Sequence, residues 1–190
     1  AEGLKFLLWF EPERVNPTSR IAREHPEWVL HAGDGDGLFN LGDPAAREWL
    51  TDRLSKCIRE WGIDIYRQDF NIDPLRFWQK ADPPDRQGIT EIRYIEGLYA
   101  MWDALRQGHP DVPIDDCASG GRRIDLEMMM RSFSLSRSDS VGAMKPMPVW
   151  DQVQTAGLSL FAPLNASLLF DCETYNWRSV ATMGAGLCQD

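Results

Sequence analysis

Gly62-Ile63-Asp64-Ile65-Tyr66-Arg67-Gln68-Asp69-Phe70-Asn71 is the stretch that decides the fold. Gly62 stops a helix, Ile63 to Tyr66 is a short apolar strand, and Asp69 stands just past its end. Upstream, Asp43-Pro44 is a helix start, with Asp as N-cap and Pro at the first helical position. Between them Ala46, Leu50, Leu54, Ile58 and Trp61 recur at three or four residues and form one buried stripe. A helix feeding a strand whose end carries an acidic group is the unit of a parallel α/β fold, where chemistry sits at strand ends.

Working outward, the alternation continues. Leu4-Lys5-Phe6-Leu7-Leu8-Trp9-Phe10 is almost continuously apolar, as expected of a strand covered on both faces. Pro12 to Gly42 reads as a long connection rich in Pro and Gly, and Asp73 to Gly88 as an extended loop. A helix from about Glu91 carries Ile92, Ile95, Tyr99, Trp102 and Leu105 and stops at Gly108. Val112 to Cys117 is a third strand, running into Ala118-Ser119-Gly120-Gly121-Arg122. A helical turn over Asp125 to Met130 precedes a fourth strand, Ser132 to Ser136, and Asp139 follows it. A helix near Val149 to Ala156, a strand near Leu158 to Ala162 and a last helix from Asn176 to Leu187 complete the chain. Crossovers of this size make a parallel sheet, barrel or doubly wound, in a single domain over 1–190.

The 190 residues are 43% hydrophobic and include 8 Trp and 8 Phe, enough to bury a core. With 20 basic and 29 acidic residues the net charge is −9, which argues against nucleic acid and anionic membranes as partners. No apolar run approaches the roughly 18 residues of a membrane span, so the chain reads as soluble, with a cytoplasmic location expected. Cys57, Cys117, Cys172 and Cys188 are widely spaced, and His25, His31 and His109 add no zinc-site spacing, so neither metal nor cofactor is expected. No G-x-x-x-x-G-K or G-x-G-x-x-G is present to make Gly120-Gly121 a phosphate loop.

Asp69 and Asp139 on strand ends are the pair that glycoside hydrolysis requires, one as nucleophile or base and one as acid. The segments around them resemble the catalytic domain of the melibiase-like α-galactosidases of glycoside hydrolase family 36. Leu8-Trp9-Phe10-Glu11-Pro12-Glu13-Arg14-Val15-Asn16-Pro17, followed by His25-Pro26-Glu27-Trp28-Val29-Leu30, is close to that family's third barrel strand. Tyr66-Arg67-Gln68-Asp69-Phe70-Asn71 resembles its Lys-Trp-Asp-x-Asn element. Cys117 to Asp125 resembles its Cys-Ser-Gly-rich-Arg-Phe-Asp segment, and Ser138-Asp139 its Ser-Asp.

The resemblance implies a TIM (β/α)8-type barrel, partial, over about strands 3 to 7. It implies a retaining glycosidase acting on terminal α-linked galactose or a related α-glycoside, with Asp69 as nucleophile and Asp139 as acid/base. Trp9, Arg67, Asn71, Cys117, Gly120 and Gly121 would contact the carbohydrate. Arg67-Gln68 stands where the family has Lys-Trp, and Ser136-Arg137 where it has Trp-Thr, so sugar-facing aromatics are expected to be missing there. An incomplete barrel has open edges, which predicts a homo-oligomer or missing barrel segments. The alternative is a weak or inactive barrel fragment that self-associates or binds carbohydrate. Glu11 and Glu13 read as sugar contacts or as ion-pair partners of Arg14 or Arg20. Trp49, Trp61 and Trp102 read as core, Met128 to Met130 as flexible packing, and Asn165-Ala166-Ser167 as a glycosylation sequon.

Overall fold

The structure is a computed structural model that describes residues 3–139, 148–162, 165–169, 173–180 and 185–187. It divides into two units, Ala1–Pro113 and Ile114–Asp190.

In the first unit, β1 (Leu7–Phe10) starts three residues later than the apolar run. It is not covered on both faces: Leu7 is 40% exposed and Trp9 48%. The unit pairs β1 with one parallel strand only, so its outer edge and part of its surface meet solvent. The expected long connection is folded. It holds β2 (Arg14–Val15), α1 (Arg20–Glu24), a 3-10 turn at Pro26–Trp28, β3 (Val29–Leu30) and β4 (Gly37–Phe39). The three strands form an antiparallel sheet in the order β2-β4-β3. Strands of two and three residues are too short for alternation to show, and Pro and Gly dominate the reading. Leu38, Phe39 and Leu41 nevertheless make this insert a core of its own, being wholly buried.

α2 (Pro44–Trp61) forms as expected. The Asp43 carboxylate accepts hydrogen bonds from Ala45 N (2.8 Å) and Ala46 N (3.0 Å), and Gly62 closes the helix in the left-handed region at φ 64°. Ala46, Leu50, Leu54, Cys57 and Ile58 are buried, but Trp61 is 51% exposed and stacks on Phe10 at 6.2 Å. The stripe leaves the core at the last turn, so Trp61 is a flank rather than core. Trp49 is half-buried against Trp28 and Phe39, whereas Trp102 is wholly buried. β5 (Ile65–Gln68) runs parallel to β1, with Trp9 opposite Arg67 and Phe10 opposite Gln68.

α3 (Leu75–Ala81) lies within the expected loop, held by buried Phe77 and Trp78. Pro74 ends the extended segment and sits at the N-cap, so the proline marks a helix start rather than a loop. α4 (Ile89–Gly108) begins where the Asp82 carboxylate accepts from Gly88 N (2.6 Å) and Thr90 N (2.9 Å). A hydrogen bond from the Thr90 side chain first, and then the Gly88 amide, hold the Asp82 carboxyl below its ordinary range. Its buried face is Tyr94, Leu98, Met101, Trp102 and Leu105, while Ile92, assigned to the stripe from sequence, is exposed.

The second unit contains β6 (Ile114–Asp116), α5 (Leu126–Arg131), β7 (Ser134–Ser136), α6 (Pro148–Leu158), β8 (Asn165–Leu169), α7 (Thr174–Val180) and β9 (Ala185–Leu187). β6, β7, β8 and β9 pair in that order, all parallel. The expected strand at 158–162 is instead the turn closing α6, with Ala162 N bonded to Leu158 O at 2.7 Å. The expected last helix is α7 over Thr174–Val180, and Ala185–Leu187, within its expected range, is β9 instead. The described residues therefore contain one parallel strand more than the five read from sequence. Asn165 lies in β8, fully buried, with its Nδ2 bonded to Ala162 O at 2.6 Å, so the sequon is a core element. Met128 is buried, whereas Met130 is exposed. Cys57 and Cys117 are buried; Cys172 and Cys188 lie outside the described residues.

Candidate active site

The first unit gathers Trp9, Arg67, Asp69 and Asn71. The Asp69 amide bonds Phe10 O (2.8 Å), extending the β1–β5 ladder one residue past β5 and fixing where the side chain leaves the sheet. Its carboxylate is 8% exposed. Oδ1 accepts from Phe70 N (2.7 Å), and Oδ2 accepts from Trp9 Nε1 (3.1 Å) and Asn71 Nδ2 (2.9 Å). N–H groups aimed at both oxygens favour the anion. Alternation puts Arg67 on the same face of β5 as Asp69, and the register puts it beside Trp9. Trp9 is thus neither a core filler nor a free platform: its ring is half exposed and its indole N–H is bonded to Asp69.

Gln68 points the other way. It is wholly buried, with Oε1 accepting from Tyr66 OH (2.7 Å) and Trp102 Nε1 (2.8 Å) and Nε2 donating to Glu13 Oε1 (2.8 Å). Tyr94 OH donates to the other Glu13 oxygen. Burial, and then the Glu13 charge, push the Tyr66 phenol well above its ordinary value. Position 68 therefore faces α4 rather than a sugar, and Glu13 is a buried acceptor rather than a sugar contact. Glu11 pairs with Arg14 at 2.8 Å, as one reading of the sequence had it.

The second unit gathers Cys117, Gly120, Gly121 and Asp139. Cys117 is buried just past β6. Ala118 N bonds Gly120 O (2.9 Å), closing a tight turn in which Ser119 (φ 48°) and Gly120 (φ 78°) are both left-handed. A Cβ on Gly120 would lie 2.7 Å from Ser138 Cα and 2.8 Å from Asp139 N, and one on Gly121 2.5 Å from Arg137 O. The bare backbone at 120–121 is what lets the segment carrying Asp139 lie against it. Asp139 itself is exposed, three residues beyond β7.

Arg137 and Ser136 are buried, so the expected sugar-facing positions there face the interior instead. The Arg137 guanidinium pairs with Asp151 (3.3 Å) and donates to Asn165 Oδ1 (3.1 Å), and Asp151 also accepts from Ser167 Oγ (3.0 Å). Burial lowers the Arg137 pKa below its ordinary value, against the opposing pull of Asp151. No motif in the sequence marks this cluster, whose members are 14 and 28 residues apart. Asp115 and Asp116, both buried in β6, do carry a signal, two adjacent acids inside an apolar strand. Among the described residues no group of three or more His, Cys, Asp or Glu could hold a metal, and no helix is long and apolar enough to cross a membrane.

The Melibiase family profile matches residues 1–166. The chain belongs to the Melibiase family. Among its relatives, α-galactosidase 1 of Pediococcus pentosaceus is 28% identical over 191 residues, covering 97% of this chain and 26% of that protein. The family 36 α-galactosidase AgaA of Geobacillus stearothermophilus, solved with stachyose, superposes with a TM-score of 0.83 at 23% identity over 98% of this chain and 28% of that one. The same enzyme solved with raffinose gives 0.81 at 24% identity, over 97% and 28%. The stachyose complex carries an aspartate-to-alanine substitution, and the raffinose complex an aspartate-to-asparagine substitution 70 positions further along. This Melibiase chain spans about a quarter of the length of the relatives it matches. Its fold class is that of their TIM barrels, α/β and partial.

Proposed function

We propose that this chain supplies the catalytic carboxylates of a retaining glycosidase acting on terminal α-linked galactose, Asp69 as nucleophile and Asp139 as acid/base. The observation that carries the reading is the setting of Asp69: a nearly buried carboxylate at a strand end, with donors on both oxygens and a half-exposed tryptophan beside it. Asp69 attacks the anomeric carbon, the bond to the departing oxygen breaks, and Asp139 gives that oxygen its proton. Asp139 then takes a proton from water, which displaces Asp69 from the anomeric carbon with net retention. Donors to Asp69 keep it a weak base and an available nucleophile, while solvent around Asp139 can restore its proton. The equal 70-residue spacing of the substituted aspartates in AgaA and of Asp69 and Asp139 supports the pairing. Trp9, Arg67, Asn71, Cys117, Gly120 and Gly121 are proposed to contact the sugar.

The test is hydrolysis of an aryl α-galactoside by this chain beside its Asp69→Asn variant. Turnover that disappears in the variant supports the nucleophile; turnover that survives it removes Asp69 from that role. Absence of turnover in the unmodified chain favours the second reading, a barrel fragment active only with further strands. The exposed Leu4 and Phe6 before β1, and Leu7 and Trp9 within it, support self-association or cover by further segments. A compact, non-aggregating monomer by sedimentation counts against that.

A further inference from the structure

Asn71 is gripped at every polar group of its backbone. Glu11 Oε1 accepts from Asn71 N at 2.8 Å, and Arg14 Nη2 donates to Asn71 O at 2.6 Å. Glu11 and Arg14 are themselves joined through the same Glu11 oxygen, by Nε at 3.0 Å and Nη2 at 2.8 Å. Asp36 meets the far side of the guanidinium at 3.4 Å. These carboxylates raise the Arg14 pKa, the Glu11 bond contributing most. The Asn71 side chain, so placed, donates to Asp69 Oδ2, the oxygen that Trp9 Nε1 also holds.

From this chain of bonds we infer that Glu11 and Arg14 are positioning residues for the Asp69 carboxylate, acting through the backbone of Asn71. The inference rests on the proposed role of Asp69 for its kinetic consequence, but not for its structural one. Asn71 lies three residues past the end of β5, beyond the Asp69 amide that bonds Phe10 O. The ion pair acts there: one oxygen for the N–H, one guanidinium nitrogen for the C=O, with the two charges held against each other at 2.8 Å. Loss of either partner loosens the Asn71 backbone and with it the Asn71 Nδ2 bond to Oδ2, the oxygen that Trp9 Nε1 also meets.

The Trp9 indole N–H reports this directly. Its ¹H–¹⁵N cross-peak, identified by its disappearance in Trp9→Phe, is expected downfield of exposed indoles because it is bonded to a carboxylate. Glu11→Ala and Arg14→Ala are expected to shift it, as Asn71→Ala does, while the other seven tryptophans of the eight stay in place. Glu11→Gln, which keeps an oxygen for Asn71 N, is expected to restore most of the wild-type position. In turnover, the alanine variants should lose kcat by on the order of 10²-fold, the effect of about 1 Å of misplacement, with KM little changed. A Trp9 cross-peak that matches wild type in Arg14→Ala overturns the inference. So does a Glu11→Gln shift as large as that of Glu11→Ala. Should the alanine variants not fold, the Gln variant and Arg14→Lys, which cannot reach Glu11 and Asn71 O with two nitrogens, carry the same comparison. Hydrolysis surviving Asp69→Asn would sink the nucleophile and leave the cross-peak result standing, so the two failures are distinguishable.

Discussion

Gly120→Ala measures how tightly Asp139 is held by the turn beneath it. At φ 78° an alanine pays the left-handed penalty, roughly 1–2 kcal/mol. Its Cβ would also stand 2.7 Å from Ser138 Cα and 2.8 Å from Asp139 N, against an ordinary contact of at least 3.4 Å. Both neighbours are backbone, so no side chain can swing aside, and the two segments must part by about 0.7 Å, an overpacking cost of about 1–3 kcal/mol. The sum is about 2–5 kcal/mol, a large share of a domain's stability. Urea unfolding should show a lower midpoint with an unchanged slope. Because the displaced atom is the amide of Asp139, turnover should fall as well, by about 10- to 10²-fold. Ser119→Gly is the internal control. Ser119 already sits at φ 48°, so glycine relieves strain there while adding unfolded-chain entropy and losing a 3.2 Å bond from Arg122, for a net change within about 1 kcal/mol. A Gly120→Ala midpoint equal to wild type, or the same loss at both positions, refutes the reasoning.

Arg137→Ala strands the buried Asp151 charge and should destabilise by about 3–5 kcal/mol, read from the urea midpoint. Gly97→Ala should destabilise although alanine is the better helix former by about 1 kcal/mol, because its Cβ would meet Leu41 O at 2.0 Å; a stabilised variant in thermal unfolding contradicts that. Burial first, and then Arg59, hold the His109 pKa below its ordinary value of 6.5. The unfolded chain therefore binds this proton more readily, so the contribution is full above pH 6.5 and lost as pH falls through the folded pKa. Unfolding midpoints should drop from pH 7 towards pH 5.5, and His109→Asn should flatten that slope.

The long elements were legible because their signals are local and repeated. Asp43-Pro44 and Gly62 bracket α2 correctly, and Asp125 caps α5 where a helical turn was expected. What escaped depends on partners remote in sequence. β2, β3 and β4 are too short to show a period, and β9 is read as helix because Ala185-Gly186-Leu187 has no alternation of its own. Gln68 shows the limit at the site. Nothing around it tells that its amide meets Glu13, 55 residues away, so in the sequence it reads only as the replacement of a sugar-facing aromatic. Asp69 stands out in the sequence by its place past the strand, whereas its donors Trp9 and Asn71 lie 60 and 2 residues off and enter the sequence reading only as carbohydrate contacts implied by the resemblance.

The amide of Gln68 has a direction. Two donors, Tyr66 and Trp102, meet its oxygen, and one acceptor, Glu13, meets its nitrogen, so turning it over would oppose like groups at all three contacts. A strand slipped by one residue would exchange its faces, sending Arg67 into the dry layer under α4 and Gln68 out of it. The penalty for that is the loss of the Gln68 bonds to Glu13 and Trp102, both behind the sheet. The outward facing of Arg67 and Asp69 is thus guarded from the opposite side of β5, by residues packed in the dry layer under α4.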